Sequence, residues 1–305
     1  MRALLVVFAI LFSAACSPAP ASIPVPTPSA SPLPPAVVTD FQGRTVQVPR
    51  TVERIVSIGA SNTEFLFALG AGDRVVGVDD FSDEPPAALK KEKVGGVKVN
   101  LEKVASLRPD LIVTIKFSDG TIERLAAFGA AVLVVDPLTL GDVARSATLI
   151  GQAVGADGKK LADDITRRLQ AVKERAAAIA AKPRVFHEVD ATDPAKPYTV
   201  GPGSFVHDLI ELAGGVNVAA RAASPYPQLS AEDLVRADPE VILLADADYG
   251  VTPEQVGARP GWSGIAAVRT KRVYAMSANL VSRPGPRVGE AAEAYAKLLH
   301  PTVFR

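Results

Sequence analysis

Two glutamates, Glu102 and Glu232, stand at the same point of two similar segments that lie 130 residues apart. Each segment begins with a good helix-capping residue, Asn100 or Ser230, and a proline stops each short helix. A carboxylate in the first helical turn can complement the helix dipole, which contributes roughly a few tenths of a kcal/mol. It can also pair with a basic group of a partner. The equivalence of the two positions favours the second role, with both carboxylates contacting one partner.

The two segments also predict a chain built from two related lobes. Each proline is followed by a short apolar and branched run typical of a buried strand, Leu111–Val113 and Val241–Leu244. A weaker similarity lies upstream, where Glu64–Gly72 and His207–Gly215 both end in a leucine and a glycine-rich triplet. The two glutamates therefore belong to equivalent places in the two lobes.

The sequence offers little catalytic chemistry. The three histidines, His187, His207 and His300, are scattered and lack the spacing of a zinc site. The only cysteine, Cys16, has no partner for a disulfide or a metal cluster. Neither a nucleophile elbow nor a Walker loop is present. We therefore predict no enzyme activity, no metal site and no resident cofactor, and a secreted enzyme remains a minor alternative.

The N-terminal residues predict export. A charged Arg2 and an apolar run over Ala3–Ala15 precede Cys16, and the run is shorter than the ~20 residues of a membrane span. Residues 1–16 are interpreted as a signal peptide with a lipobox-like cysteine, although Ser13 replaces the usual leucine. The alternative is an ordinary cleaved signal. Residues 17–39, rich in proline, predict an extended, disordered tether. Equal numbers of basic and acidic residues, 33 each, argue against nucleic-acid binding.

From residue 40 onwards, strand and helix patterns alternate, which predicts an α/β fold with parallel sheets. We predict an N-terminal lobe at 40–140, connecting helices at 141–182 and a C-terminal lobe at 183–305. Ser61–Glu64 has the spacing of a capping box that opens a helix closing at Gly70. The predicted strands are Val46–Val48, Arg54–Ile58, Val75–Val78, Leu111–Thr114, Val132–Val135, Arg184–Val189, Val241–Ala245 and Val273–Met276.

The longest helical pattern, Lys159–Ala181, lies between the predicted lobes. Apolar residues recur there at three- and four-residue intervals and form one stripe. At 1.5 Å per residue the helix would be about 35 Å long, enough to reach from one lobe to the other. We therefore predict two lobes held by a stiff connection with limited movement.

These motifs together resemble the helical-backbone class of ABC-transporter substrate-binding proteins, which carry cobalamin, ferric siderophores or haem. The resemblance spans roughly residues 40–305 and depends on these segments: Arg54–Asp79, Val94–Gly96, Asn100–Val113, Tyr198–Ala219, Tyr226–Leu244, Arg272–Tyr274 and Arg283–Arg287. It implies a monomeric, extracytoplasmic receptor, anchored to the membrane through a lipid on Cys16, that delivers its ligand to a permease dimer with its ATPase. In the family one glutamate of each lobe contacts permease arginines, and Glu102 and Glu232 match those positions.

Within that class the sequence is most similar to the cobalamin receptors. The resemblance implies ligand contacts by Phe81, Tyr198, Tyr226 and Arg283, and aromatic faces with one cation suit a large, flat, partly apolar macrocycle. Those receptors can carry a tryptophan where this chain has Gly96. A ferric siderophore would suit Arg283 together with Lys116, whereas haem normally needs an axial tyrosine or histidine. Trp262 is expected to pack against a helix.

Overall fold

The computed structural model describes residues 36–305. The chain begins there with an antiparallel hairpin of β1 (Ala36–Thr39) and β2 (Thr45–Val48). The folded body therefore starts four residues earlier than the predicted boundary at residue 40, because Ala36–Thr39 pairs with β2 instead of continuing the tether. The predicted signal segment, Cys16 and the remainder of the tether lie outside the described residues.

The first lobe contains a five-stranded sheet in the order β5-β4-β3-β6-β7, and every neighbouring pair is parallel. The bounds of its strands are β3 Ile55–Ile58, β4 Val75–Val78, β5 Glu92–Lys93, β6 Leu111–Thr114 and β7 Ala131–Val134. Two central strands, β3 and β6, are buried along their whole length. This pattern is expected for a parallel sheet with both faces covered.

The second lobe repeats this design with a four-stranded parallel sheet in the order β11-β10-β8-β9. The bounds are β8 Arg184–Glu188, β9 Val216–Asn217, β10 Val241–Leu244 and β11 Val273–Ala275. The predicted α/β architecture of two lobes with parallel sheets is therefore confirmed.

Helices cover both sheets and connect the lobes. Their bounds are α1 Ala60–Ala68, α2 Leu101–Ser106, α3 Thr121–Ala126, α4 Leu140–Val154, α5 Gly158–Ala177, α6 Phe205–Leu212, α7 Ala231–Ala237, α8 Pro253–Gly257, α9 Ala266–Arg269, α10 Ala278–Val281 and α11 Val288–Leu299. Short 3₁₀ turns lie between several of them.

The predicted long helix is α5, which lies beside α4 and also contacts α6 and α11 of the second lobe. The two connecting helices approach closely at Gly158, where an added Cβ would lie 2.2 Å from the carbonyl oxygen of Ala147. The helix ends at Ala177, four residues before the predicted end. Pro183 disfavours helical geometry in the residue before it, and the chain must turn there to enter β8. At 20 residues α5 is about 30 Å long.

One continuous hydrophobic core runs through both lobes. It joins Ile55 and Leu133 of the first sheet to Val185 and Leu243 of the second, with Ile165 of α5 among them. Two smaller clusters fill the opposite face of each sheet. Because apolar burial contributes roughly 25 cal/mol per Å², this shared core stabilises the arrangement of the two lobes as well as each lobe.

The predicted capping box at Ser61–Glu64 is wrong. Helix α1 begins two residues earlier than the box implies, at Ala60, and its N-cap is Gly59 with no side-chain cap. Gly59 has φ 109°, and a Cβ there would approach the Ile115 side chain to 2.7 Å. The tight turn from β3 into α1 therefore requires glycine. Glu64 lies buried in the helix, whereas the predicted stop at Gly70 is confirmed by its φ of 74°.

Candidate ligand cleft and docking surface

The carboxyl ends of the parallel strands place the predicted ligand residues near the junction of the lobes. Phe81 lies in the loop after β4, and Asp136 follows β7 in the first lobe. Arg283 of the second lobe donates to the Phe81 carbonyl at 3.0 Å, so the Phe81 loop lies at the junction of the lobes. Ligands of open parallel sheets bind outside the carboxyl ends of the strands, so this is the expected location of a site.

The Phe81 loop is anchored to its own lobe by a chain of buried hydroxyls. Thr63 of α1 bonds the Ser57 hydroxyl at 2.8 Å and lies 2.7 Å from the Ser82 hydroxyl. Ser82 in turn donates to Asp79 at 2.8 Å. These side chains are buried, whereas the Phe81 ring beside them is 55% exposed. The loop therefore presents an aromatic face to solvent from a fixed backbone.

Gly96 makes room for the Phe81 ring. A Cβ at Gly96 would lie 3.5 Å from two atoms of the Phe81 ring and 3.1 Å from a carboxylate oxygen of Asp80. A tryptophan at this position would compete with Phe81 for the same space. The departure from the family pattern thus leaves one aromatic side chain, Phe81, at this place.

Tyr198 and Tyr226 lie on one short antiparallel ribbon. Tyr198 pairs with Gln228, and the Thr199 amide donates to the carbonyl of Pro227 at 2.9 Å. This register places Tyr226 two positions from the partner of Tyr198. The side chains are 44% and 50% exposed, respectively. The structure therefore brings the two predicted tyrosines together on neighbouring positions of the second lobe.

Burial and the charge of Asp136 raise the pKa of Tyr226. The pKa of Asp136 is itself raised by burial, partly offset by the backbone amide and the charge of Lys116. The phenol of Tyr226 is therefore held in its neutral, hydrogen-bonding form. Asp136 was not predicted from the sequence, because an isolated aspartate after a strand carries no recognisable motif.

Arg283 bonds protein groups on both sides of the lobe junction. One guanidinium nitrogen donates to Asp83 at 2.7 Å and to Glu64 at 3.3 Å, and both acceptors belong to the first lobe. The other donates to the Phe81 carbonyl at 3.0 Å and to the Asn279 side chain at 2.5 Å. Four of the five N–H groups of Arg283 are thereby used, and its side chain is only 14% exposed. A ligand contact through either terminal nitrogen would require one of these bonds to be replaced, whereas none of them uses the Nε–H.

Arg287 forms a second tie between the lobes. It makes a bidentate pair with the buried Glu64 carboxylate, both bonds being 2.8 Å, and donates to the Asn279 carbonyl at 3.0 Å. The neighbouring carboxylate of Asp83 accepts from Asn279 at 2.9 Å. We call this set, together with Arg283, the interlobe network. The segment Arg283–Arg287 belongs to the family resemblance, but its sequence alone does not reveal the partners of its two arginines.

The two predicted docking glutamates lie on matching helices. Asn100 caps α2 by accepting from the Lys103 amide, and Ser230 caps α7 by accepting from the Asp233 amide, as predicted. Glu102 and Glu232 follow these caps and are exposed. Within residues 36–305, neither glutamate forms a side-chain hydrogen bond or an ion pair. Both carboxylates are therefore available to a partner.

The histidines do not assemble into a site. His187 is buried against Tyr295 with 2.9 Å between its Nδ1 and the phenol oxygen, and burial lowers its pKa to about 3. His207 contacts the Asn217 side chain at 3.0 Å. Nowhere in residues 36–305 do three His, Cys, Asp or Glu residues gather as a possible metal site. Trp262 is buried edge-on to Phe186 of β8, and the 3₁₀ turn that carries it contacts α7, α8 and α9, which agrees with the predicted packing against a helix.

A buried pair of carboxyl groups lies at the carboxyl edge of the second sheet. Glu188, at the end of β8, is fully buried and forms a two-point pair with Arg259. Asp246 follows β10 and is 4% exposed, and neither of its oxygens has a hydrogen-bond partner in the described part of the chain. Burial, followed by the charge of Glu188, raises the pKa of Asp246 to about 7. The site is therefore sensitive to pH near neutrality.

We expect Asp246 to make the free energy of unfolding fall as pH rises from about 4 to about 7. The folded state holds a proton in this range that the unfolded state has released, so each pH unit costs up to ~1.4 kcal/mol. Asp246→Asn, which imitates the protonated acid, should therefore gain stability over the wild type as pH rises, by a few kcal/mol at pH 8, on the order of the full shift. The exposed Asp73→Asn is the control. Urea unfolding at pH 4 to 8 checks this, and a pH-independent difference for Asp246→Asn would contradict it.

The comparisons with known proteins agree with this architecture. Residues 55–280 match the family model described as periplasmic binding protein. The chain belongs to this family. It is 35% identical to the ABC transporter substrate-binding lipoprotein YvrC of Bacillus subtilis over 280 residues, covering 89% of this chain and 87% of that protein. It is 31% identical to a vitamin B12-binding protein of Vibrio cholerae over 252 residues, covering 80% and 88%.

A solved structure extends the likeness to a receptor with another ligand. The periplasmic haem-binding protein RhuT of Roseiflexus sp. RS-1 superposes with a TM-score of 0.73 at 27% identity, covering 81% of this chain and 99% of that one. The resemblance to ABC-transporter substrate-binding proteins and the two-lobed fold are thus confirmed. The relatives are named for binding and transport, which agrees with a receptor. Within residues 36–305, no helix is long and apolar enough to cross a membrane.

Proposed function

We propose that the chain is the extracytoplasmic receptor of an ABC importer for cobalamin or a related corrinoid. The observation that carries this proposal is the set of three exposed aromatic side chains, Phe81 from the first lobe and Tyr198 and Tyr226 from the second. Flat aromatic faces on two sides of a cleft suit a corrin ring with its amide substituents. Similarity to a vitamin B12-binding protein supports the same ligand class.

Haem is the alternative that a specific observation favours, since two exposed tyrosines lie in the cleft and a haem-binding protein shares the fold. A tyrosine that ligates haem iron does so as phenolate. Burial and the charge of Asp136 raise the pKa of Tyr226, so a phenolate ligand at this position would have to be stabilised by the iron itself. A ferric siderophore would use cationic side chains such as Lys116, but Arg283 is already engaged by protein acceptors.

Absorbance titration of the full chain against cobalamin, haemin and a ferric siderophore tests the proposal. We expect saturable one-to-one binding of cobalamin, measured through the corrin bands and confirmed by calorimetry. Tight binding of haemin with a tyrosinate–iron band, and no response to cobalamin, would assign the cleft to haem. Saturation by the ferric siderophore alone would reject a corrinoid as well.

The remaining parts of the proposal concern delivery. We propose that a lipid on Cys16 tethers the receptor to the membrane outside the cytoplasm, and that the proline-rich segment spans the distance to the folded body. Glu102 and Glu232 then pair with basic residues on the two halves of the permease. Their equal positions in the two lobes match a dimeric partner, because each lobe would meet one subunit.

A further inference from the structure

We propose that Arg283 is a positioning residue that, with Arg287, sets the width of the cleft, and that it does not act by contacting the ligand. This proposal deepens the proposed function and rests on it for the identity of the ligand. It differs from the role implied by the family resemblance. Its basis is the interlobe network, in which a single segment of the second lobe holds two separate elements of the first.

The two arginines form hydrogen bonds with different elements of the first lobe. Arg287 pairs with Glu64 on α1, whereas Arg283 also reaches Asp83 and the Phe81 carbonyl in the loop after β4. Glu64 is only 4% exposed, so its charge has little water to replace a lost partner. Removing a partner from a buried ion pair is far more disruptive than doing so at the surface. The network therefore couples the lobes more strongly than exposed ion pairs would.

The Phe81 loop transmits this coupling to the cleft. Its backbone is fixed to the first lobe through Asp79, Ser82 and Thr63, and Lys93 donates to the carbonyls of Asp79 and Ser82 at 2.9 Å. Because the loop is fixed to the first lobe, its bond to Arg283 through the Phe81 carbonyl also fixes the second lobe relative to the first. Arg283 therefore fixes how far the second lobe, with its two tyrosines, stands from the Phe81 ring.

The position of Arg283 also explains why it is a poor ligand contact. Both of its terminal nitrogens already donate two hydrogen bonds each. To bind a terminal nitrogen, a phosphate or carboxylate of a ligand would have to displace one of four protein acceptors, and two of these, Asp83 and Glu64, are charged. Displacing Glu64, whose side chain is 4% exposed, would leave a buried carboxylate with one partner fewer for the anion gained, so little net affinity would result.

The test combines distances between the lobes with ligand binding. Spin labels are placed on cysteines introduced at two exposed helical positions, Glu123 of α3 and Glu254 of α8, in the full chain carrying Cys16→Ala. Pulsed electron resonance then measures the distance between lobes in Arg283→Gln, Arg287→Gln and the parent protein. The Arg287 variant is the matched comparison, because it breaks the same network at a residue outside the predicted ligand contacts.

We expect both variants to broaden the distance distribution without ligand. Both variants should bind cobalamin more weakly, on the order of tenfold, because a smaller fraction of molecules has the cleft width that binds the ligand. A corrinoid that lacks the nucleotide phosphate should lose affinity by the same factor. Arg283→Lys keeps the positive charge but lacks the two planar donor nitrogens of the guanidinium, so it should behave like the glutamine variant. Thermal melts of each variant establish that it is folded.

Two results would overturn the proposal. The first is an unchanged distance distribution in Arg283→Gln. The second is a loss confined to the phosphate-bearing corrinoid and to Arg283→Gln, with Arg287→Gln unaffected, which would make Arg283 a direct contact. If the parent protein binds no corrinoid, the proposed function is rejected. The distance distributions are measured without ligand, so they still decide whether Arg283 sets the spacing of the lobes.

Discussion

Tyr198→Ala and Tyr226→Ala are each expected to weaken corrinoid binding by about 1–3 kcal/mol, the scale for aromatic anchors in a desolvated pocket. Both side chains are about half exposed, so a ligand can cover them. Their backbone is held by the ribbon between residues 198–201 and 225–228, which does not depend on the rings. Calorimetry of each variant with cobalamin measures the loss, and thermal unfolding should change little.

Replacement by phenylalanine separates two ways in which the tyrosines could act. If the rings stack on a corrin, Tyr198→Phe and Tyr226→Phe should keep most of the affinity, because the aromatic face remains. If either phenol binds haem iron, the corresponding phenylalanine variant should lose haem and its charge-transfer band entirely. Phe128→Ala removes another exposed aromatic ring, located before β7 at the opposite edge of the first sheet, and serves as the control. Equal losses in Phe128→Ala and the tyrosine variants would point to a general effect on stability.

The fold was largely predictable because its signals are local. Leu111–Thr114 forms the predicted strand, Val241–Leu244 forms a strand one residue shorter than predicted, and Asn100 and Ser230 cap their helices as predicted. A run of four or five residues that is rich in β-branched side chains and bounded by turn residues favours a strand, because it is too short for a typical helix. The repeat then supplied what no single segment could, namely that the chain has two equivalent lobes.

The interlobe network was not predictable by the same reasoning. Glu64 and Arg287 are separated by 223 residues, and their pairing depends on how the two lobes meet. The sequence around Glu64 instead suggests a local capping role, because serine and glutamate at that spacing form a capping box in many helices. Gly59 takes the capping position, which leaves Glu64 inside the helix to face the other lobe. Local rules failed here because a longer-range contact competed with them.

Alanine at both Glu102 and Glu232 is expected to abolish most uptake while leaving ligand affinity unchanged. Neither carboxylate has a partner in the described part of the chain, whereas neighbouring charges do: Lys103 pairs with Glu92 at 2.6 Å and Asp233 with Arg236 at 2.7 Å. Truncating one partner of a charge pair at an interface costs roughly 2–5 kcal/mol. A double variant should therefore lose at least about tenfold in uptake, and its deficit relative to the wild type should shrink at higher salt, where screening also weakens the wild-type charge pairs.

A helix-dipole role for the two glutamates makes a different prediction, and Glu254→Gln provides the comparison. Glu254 is an exposed acid in the first turn of α8 on the second lobe, without an equivalent in the repeat. If Glu102 and Glu232 only complement helix dipoles, their variants should resemble Glu254→Gln, with stability lowered by roughly a few tenths of a kcal/mol and normal uptake. Corrinoid uptake in a strain complemented with each variant decides the matter. Full uptake with the double alanine variant would refute docking. Lost uptake with intact calorimetric affinity would place the defect at the contact with the permease, since the receptor binds its ligand and its permease through separate surfaces.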